Sequence, residues 1–196
     1  MTRYAVTGAR ISNAYAARGR APLDVLVLMG VSGSGKTTIG KQLSALLGWT
    51  FRDADEFHPQ ANIDKMVSGI PLNDADRAPW LAAIAAWIDE CRADNIGGIV
   101  SCSALKRTYR DVLVGDRRDV GLVYLKGSHA LIADRLSHRR GHFMPPALLA
   151  SQFEALEEPA PEEHAIVVSI RLSPKRIAEQ IIALTGLRPR RLIGPM

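Results

Sequence analysis

Long apolar runs are absent from this 196-residue sequence. No run approaches the roughly 18 consecutive apolar residues that a membrane-crossing helix needs, so we expect no membrane partner. The first 22 residues also lack the continuous apolar centre of a secretory signal peptide. The remaining composition, 47% hydrophobic and 23% charged, is ordinary for a soluble globular protein, and the length suits a single domain.

Cysteine is scarce. The chain has only Cys91 and Cys102, in apolar surroundings and without a CxxC spacing, so we expect two reduced, buried thiols and a cytoplasmic location. The five histidines do not cluster at the spacing of metal ligands, which argues against a zinc site. The sequence also lacks a G-x-S-x-G motif, so a serine hydrolase of that type is not indicated.

Acidic residues are missing from both ends. Residues 1–21 contain four arginines and residues 186–196 contain three, so the formal charge of +5 is a property of the ends. Without those seven arginines, 18 basic residues face 20 acidic ones, a net charge of −2 for residues 22–185. A nucleic-acid-binding domain carries positive charge on its folded body, so we expect no nucleic-acid partner. The predicted organisation has three parts: a loose extension at 1–22, a single domain at 23–186 and a basic tail at 187–196.

The sequence does contain a strand, a glycine loop and a helix in immediate succession. Residues 25–29 form an apolar run, too short for a helix and rich in β-branched residues, which is typical of a buried parallel strand. Residues 30–37 match G-x-x-x-x-G-K-[ST] at every fixed position, and apolar residues then recur at helical spacing as far as Leu47. This context favours a nucleoside triphosphate site over a plain glycine turn with a solvated lysine.

Each part of this loop has a role in binding phosphates. The glycines let successive backbone N–H groups point at an anion, and the helix N-terminus adds its partial positive charge. Lys36 can reach the β- and γ-phosphates, and the Thr37 hydroxyl can ligate Mg²⁺. The predicted nucleotide-binding residues are Gly30, Val31, Ser32, Gly33, Ser34, Gly35, Lys36, Thr37 and Thr38.

Predicted strands and helices alternate along the rest of the chain. Helices separate four further predicted strands, which lie near residues 49–52, 99–103, 120–125 and 166–169. This alternation predicts an α/β fold, a doubly wound three-layer structure with a five-stranded parallel sheet between helices. Glycine and proline breaks indicate that 56–72 and 139–160 are the segments most able to move, the second as a lid.

Two acidic residues follow the second predicted strand, at the edge where open parallel sheets bind ligands. If the strand continued in extended form, Asp53 and Asp55 would point to the same side, roughly 7 Å apart, and could address one site together. The alternative is that one of them only caps the following helix.

Longer motifs are more specific than the loop. They are DADEFHP at 53–59, NIDKM at 62–66, GIPLNDADRAPWL at 69–81, CSALKRTYRD at 102–111, GHFM at 141–144 and QFEALEEP at 152–159. Together they resemble the gluconokinase family, small-molecule kinases similar in fold to adenylate and shikimate kinases. The resemblance implies transfer of the γ-phosphate of ATP to the 6-hydroxyl of D-gluconate with Mg²⁺ as cofactor, and it suggests a homodimer. The extension at 1–22 lies outside the family pattern, as does Arg171, in the region that would border the adenine.

The motifs also suggest roles in phosphoryl transfer. Asp55 is the base or orienting group for the substrate hydroxyl, Lys36 neutralises phosphate charge, and Asp53 belongs to the metal's water shell. Arg135 and Arg139 lie four apart on one predicted helix, so they share a face and could clamp the γ-phosphate as charge develops. A solvated helical face is the alternative for these two arginines.

Gluconate is a linear polyol with a carboxylate, so its pocket needs a cation and several hydrogen-bonding groups. Arg77 is favoured because a guanidinium matches a carboxylate bidentately, and Lys106 because it follows the third strand. His58 could instead be a turn residue, and the cationic candidates could be solvated or ion-paired surface side chains. The predicted substrate-binding residues are Asp55, His58, Lys65, Asn73, Arg77, Lys106, Arg107 and His142.

Two other functions fit the glycine loop alone. A kinase for another small polyol or acid, such as shikimate, would place the same side chains around a ring. A nucleic-acid-directed protein or a nucleotide switch would need basic surface on the body, which the net charge of −2 for residues 22–185 does not favour.

Overall fold

The computed structural model describes residues 21–138 and 146–189, with only the backbone described for 146 and 147. Five parallel strands form one sheet in the order β2-β3-β1-β4-β5. The strands are β1 Val25–Met29, β2 Thr50–Asp53, β3 Gly98–Ser101, β4 Val120–Lys126 and β5 Ile166–Ser169. The predicted five-stranded parallel sheet of a three-layer α/β fold is thereby confirmed.

Seven α-helices are described, and two short 3₁₀ turns lie at 54–57 and 161–163. The helices are α1 Lys36–Leu47, α2 Gln60–Val67, α3 Asp74–Ala93, α4 Arg107–Leu113, α5 His129–Ser137, α6 Pro146–Glu154 and α7 Pro174–Thr185. Within the described parts of the chain, none of these helices is both long and apolar enough to cross a membrane.

The sheet separates two apolar layers. Leu26 and Leu28 of β1 face the layer that contains α1, α5 and α7, whereas Val25, Val27 and Met29 face the layer that contains α3 and α4. All five side chains are completely buried, because helices cover both faces of the strand. The unbroken apolar run therefore predicted a buried parallel strand correctly.

Strand ends differ from the predicted ones by one or two residues. The third strand was predicted to reach residue 103 but ends at Ser101, shortly before Ala104 turns the backbone into the left-handed region at φ 45°. The second strand begins at Thr50, one residue late, where its N–H bonds to the Gly97 carbonyl at 2.9 Å. An apolar run does not mark where ladder hydrogen bonds stop, so such ends are not legible from sequence.

The strand order places a crevice at the carboxyl ends of the central strands. From β1 the chain crosses to β2, two positions away, whereas from β3 it crosses to β4 on the opposite side of β1. Connections that leave in opposite directions open a cleft beside β1, which is where such sheets bind ligands. The glycine loop at 30–35, the turn at 54–57 and the loop at 102–106 all follow the carboxyl ends of these strands.

Candidate active site

The glycine loop needs glycine at the positions that shape it. Gly30, Gly33 and Gly35 have φ angles of 142°, 80° and 94°, which side-chain-bearing residues rarely adopt. A Cβ atom on Gly33 would also lie 2.9 Å from the Cγ of Leu136 in α5. The loop therefore follows the backbone path that turns consecutive N–H groups inward, and this cradle fits a phosphate.

Lys36 is the cation of this cradle. Its ammonium donates to the carbonyls of Gly30 at 2.9 Å and Val31 at 3.1 Å, so it lies along the rim of the loop. Burial lowers the pKa of Lys36, while the nearby Asp53 and Asp55 carboxylates act in the opposite direction. The site thus places one partly desolvated positive charge between the loop and two acids.

Cys102 lies buried beside this lysine. Burial raises the pKa of its thiol to about 12, although the positive charge of Lys36 favours the thiolate. Cys91 is buried as well, and both cysteines are free. The prediction of two buried free thiols is confirmed, and a neutral Cys102 is a packing group rather than a nucleophile.

Asp53 makes contacts in two directions. Its Oδ2 accepts a hydrogen bond from the Thr37 hydroxyl at 2.7 Å. Its Oδ1 accepts from the Asp55 N–H at 3.3 Å, and the Asp53 N–H donates to Glu56 at 3.1 Å, which completes a capping box for the turn at 54–57. Asp53 therefore caps the turn but does not only cap it, and the metal role of its other oxygen stays a prediction.

The predicted geometry of the acidic pair is wrong. The strand ends at Asp53, and the chain enters a 3₁₀ turn at Ala54, so Asp53 and Asp55 are not alternate residues of one extended segment. The Trp80 indole N–H fixes this turn by donating to the Ala54 carbonyl at 2.7 Å. The Asp55 carboxylate nevertheless raises the pKa of both Lys36 and His58, against the larger effect of burial on each.

His58 lies on an aromatic platform next to the turn. Its ring stacks on Trp80, with centroids 4.6 Å apart and planes 6° from parallel. Buried Asn62 donates to the Asp76 carbonyl at 2.8 Å and lies 3.4 Å from His58 Nδ1. Burial lowers the pKa of His58, whereas the charge of Asp55 raises it. His58 is thus a neutral hydrogen-bonding group at pH 7. It also stacks on Trp80 and contacts Asn62, which a residue that only forms a turn would not require.

Predicted substrate-binding cations gather at the first turn of α3. Asp74 accepts from the Lys106 ammonium at 2.9 and 2.7 Å and from the Tyr109 hydroxyl at 2.5 Å, and Arg77 lies 3.7 Å away. Lys106 and Tyr109 lower the pKa of Asp74 through these hydrogen bonds, and Asp74 raises that of Lys106.

A second ion pair completes this group. The Lys65 ammonium lies 2.5 Å from Asp76, whose carboxylate accepts from the Asn73 N–H at 3.0 Å while the Asn73 side chain caps the Asp76 N–H. Three cations therefore face two acids, an excess of one positive charge next to a neutral histidine. We call this group the α3 cluster; it consists of Lys65, Arg77 and Lys106 with Asp74 and Asp76.

The structure places Arg107 and Arg135 away from the α3 cluster and the glycine loop. The Arg107 guanidinium pairs with Glu162 at 2.6 Å and lines a separate cavity of about 1100 Å³ between α4 and the segment before β5. Arg135 donates to the Ile170 carbonyl, just beyond β5, rather than to the glycine loop. Arg139 and His142 lie outside the described residues.

Sequence reasoning did not assign four polar residues of this region. They are Asn62, Asp74, Tyr109 and Gln152. All four lie inside the longer motifs, so the motifs contained the signal. None of the four is a cation or belongs to a pair of carboxylates at a strand end, which are the patterns that indicated the other site residues.

Comparisons with known proteins identify the family of this chain. The chain matches the Shikimate kinase family model over residues 32–185. A gluconokinase of Gluconobacter oxydans is 48% identical over 157 residues, which cover 80% of this chain and 88% of the relative. An unliganded sugar kinase from Janibacter sp. is 44% identical with a TM-score of 0.77, and the match covers 86% of this chain and 97% of that one. A gluconokinase structure from Sinorhizobium meliloti is also 44% identical, with a TM-score of 0.73 and coverages of 86% and 93%.

The family-model match includes strands β2 to β5, most of the glycine loop and the α3 cluster. The family model alone spans more than half of the sequence, and the curated relative is far above 30% identity. This protein is a phosphotransferase with the P-loop kinase fold, and its chain belongs to the gluconokinase family.

Proposed function

We propose that this protein transfers the γ-phosphate of ATP to the 6-hydroxyl of D-gluconate, giving 6-phospho-D-gluconate and ADP. The observation that carries the proposal is that the segment 53–57, which contains Asp55, contacts both halves of the site. Asp53 accepts from Thr37 at the start of α1, and Ala54 accepts from Trp80, on which His58 stacks beside the α3 cluster. A phosphate cradle and a cationic polyol pocket thus meet at one exposed carboxylate. Such an arrangement brings a donor phosphate and an acceptor hydroxyl together.

The loop would hold the nucleotide phosphates through its N–H groups and Lys36. The ammonium lies along the loop rim, bonded to carbonyl oxygens, and would exchange these for phosphate oxygens when the nucleotide binds. The N-terminus of α1 adds its partial positive charge at the same place. Phosphoryl transfer depends mainly on such positioning and charge neutralisation, which these groups supply.

The oxygen atoms of Thr37 and Asp53 fit Mg²⁺. They lie 2.7 Å apart at the start of α1, and hydroxyl and carboxylate oxygens are the ligands that this ion prefers. Mg²⁺ usually keeps several waters and shares few protein ligands with the phosphates, which suits a two-residue site. When bound, the ion would neutralise charge on the phosphate oxygens.

Asp55 would orient the 6-hydroxyl and accept its proton as the phosphate arrives. The α3 cluster would bind the other end of gluconate, with its excess positive charge on the carboxylate. Neutral His58 and the side chain of Asn73 would contact the hydroxyls between these ends. We keep Arg135 and Arg139 as candidates for stabilising charge in the transition state, although Arg135 would have to leave the Ile170 carbonyl to do so.

We further propose that the enzyme works in the cytoplasm as a homodimer, without nucleic-acid partners. Its product would feed gluconate catabolism through the pentose phosphate pathway. Size-exclusion chromatography with light scattering tests the dimer, because a monomeric mass throughout the working concentration range would exclude it.

A coupled ADP-release assay tests the proposed reaction. D-gluconate, shikimate and related sugar acids are offered in turn, beside a reaction with no acceptor. We expect turnover with gluconate that falls about 10²- to 10⁴-fold in Asp55→Asn, the usual contribution of a general base. Asp64→Asn is the matched control, because the Asp64 side chain is exposed on α2 and accepts a hydrogen bond from Gln60 of the same helix.

The alternatives give different results in the same assay. Preference for shikimate would move the assignment to another small-molecule kinase. ATP hydrolysis that is indifferent to every acceptor would contradict a kinase for any of them and favour a nucleotide switch.

A further inference from the structure

A side chain from α6 contacts the glycine loop. The Gln152 side-chain oxygen accepts a hydrogen bond from the Ser32 N–H at 2.6 Å, across 120 residues of sequence. The donor is a backbone N–H, so the carboxamide must face it with oxygen, and its orientation is fixed. No role in the reaction proposed above requires this contact.

The packing of α6 holds this contact in place. Leu149 is buried in the apolar layer beneath α1, and Phe153 packs against the same layer. The Phe153 ring also meets His129 of α5, with centroids 5.1 Å apart. Gln152 lies between these two anchors, so its carboxamide is held over the loop rather than free in solvent.

Ser32 lies at the end of the phosphate cradle that is close to the Lys36 ammonium. It follows Val31, whose carbonyl accepts from the Lys36 ammonium at 3.1 Å. The lysine of this motif reaches the β- and γ-phosphates. The Ser32 N–H is therefore on the side of the terminal phosphates, away from the α-phosphate and the nucleoside.

We propose that Gln152 competes with the terminal phosphates of ATP for the Ser32 N–H, and so links the position of α6 to nucleotide binding. A backbone N–H donates one strong hydrogen bond, so the carboxamide oxygen and a phosphate oxygen cannot both hold it at full strength. Nucleotide binding then displaces Gln152 and weakens the hold of α6 on the loop. The inference rests on the proposed function only in naming ATP as the nucleotide.

Affinity measurements with two nucleotides, ATP and AMP, test this competition. In Gln152→Ala the competitor is gone, so we expect the Kd for ATP, measured by titration calorimetry, to fall about three- to tenfold, the equivalent of one neutral hydrogen bond. AMP has no terminal phosphates, so its Kd should not change. In Gln152→Glu the competitor is charged and repels phosphate, so ATP should bind more weakly than to the unaltered protein.

Glu154→Ala is the matched control. Glu154 is an exposed polar residue on the same helix, two positions away, and its removal should leave both the ATP and the AMP affinities unchanged. An unchanged or raised Kd for ATP in Gln152→Ala would overturn the inference. A gain for AMP as large as that for ATP would overturn it too, because a generally loosened helix would explain both.

The premise can be measured without nucleotide. A short N–H···O bond moves the amide proton downfield, so the Ser32 resonance in ¹⁵N-labelled protein should shift upfield in Gln152→Ala and stay in place in Glu154→Ala. An unmoved resonance would refute the contact. A protein that binds ATP as expected but does not phosphorylate gluconate would count against the proposed function and leave this competition standing.

Discussion

We expect Glu163→Ala to destabilise the folded protein strongly, because it leaves a buried arginine without its counter-ion. Arg110 and Glu163 are only 2% and 8% exposed, and two hydrogen bonds of 2.5 and 2.9 Å join the guanidinium to the carboxylate. Arg110 also donates to the carbonyls of Ala104, Leu105 and Glu157. One side chain therefore ties α4 to the loop after β3 and to the segment between α6 and β5.

The size of the effect follows from this burial. Removing one partner of a buried ion pair costs about 3–5 kcal/mol of unfolding free energy, since the other charge stays desolvated. For a chain of 196 residues that loss corresponds to a fall in Tm of about 6–20 °C. The neighbouring pair of Arg107 and Glu162 is 47% and 58% exposed and screened by solvent, so Glu162→Ala should cost much less than Glu163→Ala.

The loss should also depend on pH. The hydrogen bonds from Arg110 hold the pKa of Glu163 below the ordinary glutamate value of 4.5. A lowered pKa stabilises the fold above the ordinary value, and that contribution disappears as pH falls through the pKa of the folded state. The difference in stability between the unaltered protein and Glu163→Ala should therefore be constant near pH 7 and shrink below pH 4.5.

Urea unfolding followed by circular dichroism measures the loss of unfolding free energy in Glu163→Ala, the loss in Glu162→Ala and the pH dependence of the first. Glu163→Ala and Glu162→Ala differ by one position in sequence and mainly in burial, so each serves as the reference for the other. Arg110→Met with Glu163→Leu should recover much of the loss, because it removes both buried charges. Equal losses for the two alanine variants, or a loss below about 1 kcal/mol for Glu163→Ala, would refute the argument from burial.

Three further predictions concern the active site. Gly33→Ala should abolish ATP binding in calorimetry with the fold retained, because φ is 80° and the new methyl would meet Leu136; binding near the original level would show that the loop tolerates a different path. Thr37→Val should raise the Mg²⁺ concentration for half-maximal activity, since the hydroxyl beside Asp53 is lost; an unchanged Mg²⁺ titration would contradict the assignment. Asp74→Asn should change KM for gluconate and leave KM for ATP unchanged, because its carboxylate holds two cations of the α3 cluster; a change confined to ATP would exclude a role in the acceptor pocket.

The sequence alone determined the nucleotide half of the site. The strand at 25–29, the loop and the start of α1 are contiguous, so their geometry depends on neighbouring residues and on burial of the strand from both faces. Positive φ angles at Gly30, Gly33 and Gly35 follow from the same local pattern. The longer motifs were likewise sufficient to identify the family, because they are contiguous strings.

Only the tertiary structure decided how the residues proposed for the acceptor half are arranged. The extended spacing predicted for Asp53 and Asp55 fails because Trp80, 26 residues beyond Ala54, fixes a 3₁₀ turn there. Arginine and lysine residues look equivalent in sequence, but the acid that each one pairs with in the fold determines where its side chain lies. Thus Arg77 lies near Asp74 in the α3 cluster, while other cations pair elsewhere.

The contact of Gln152 with Ser32 is the clearest example of a contact that the sequence does not predict. It joins residues 120 positions apart, and no periodicity in either segment relates them. Local hydrogen bonding and apolar patterning depend on residues a few positions apart, so they can be recognised in the sequence. Long-range contacts depend instead on how α6 packs against the sheet, which the whole apolar core determines together.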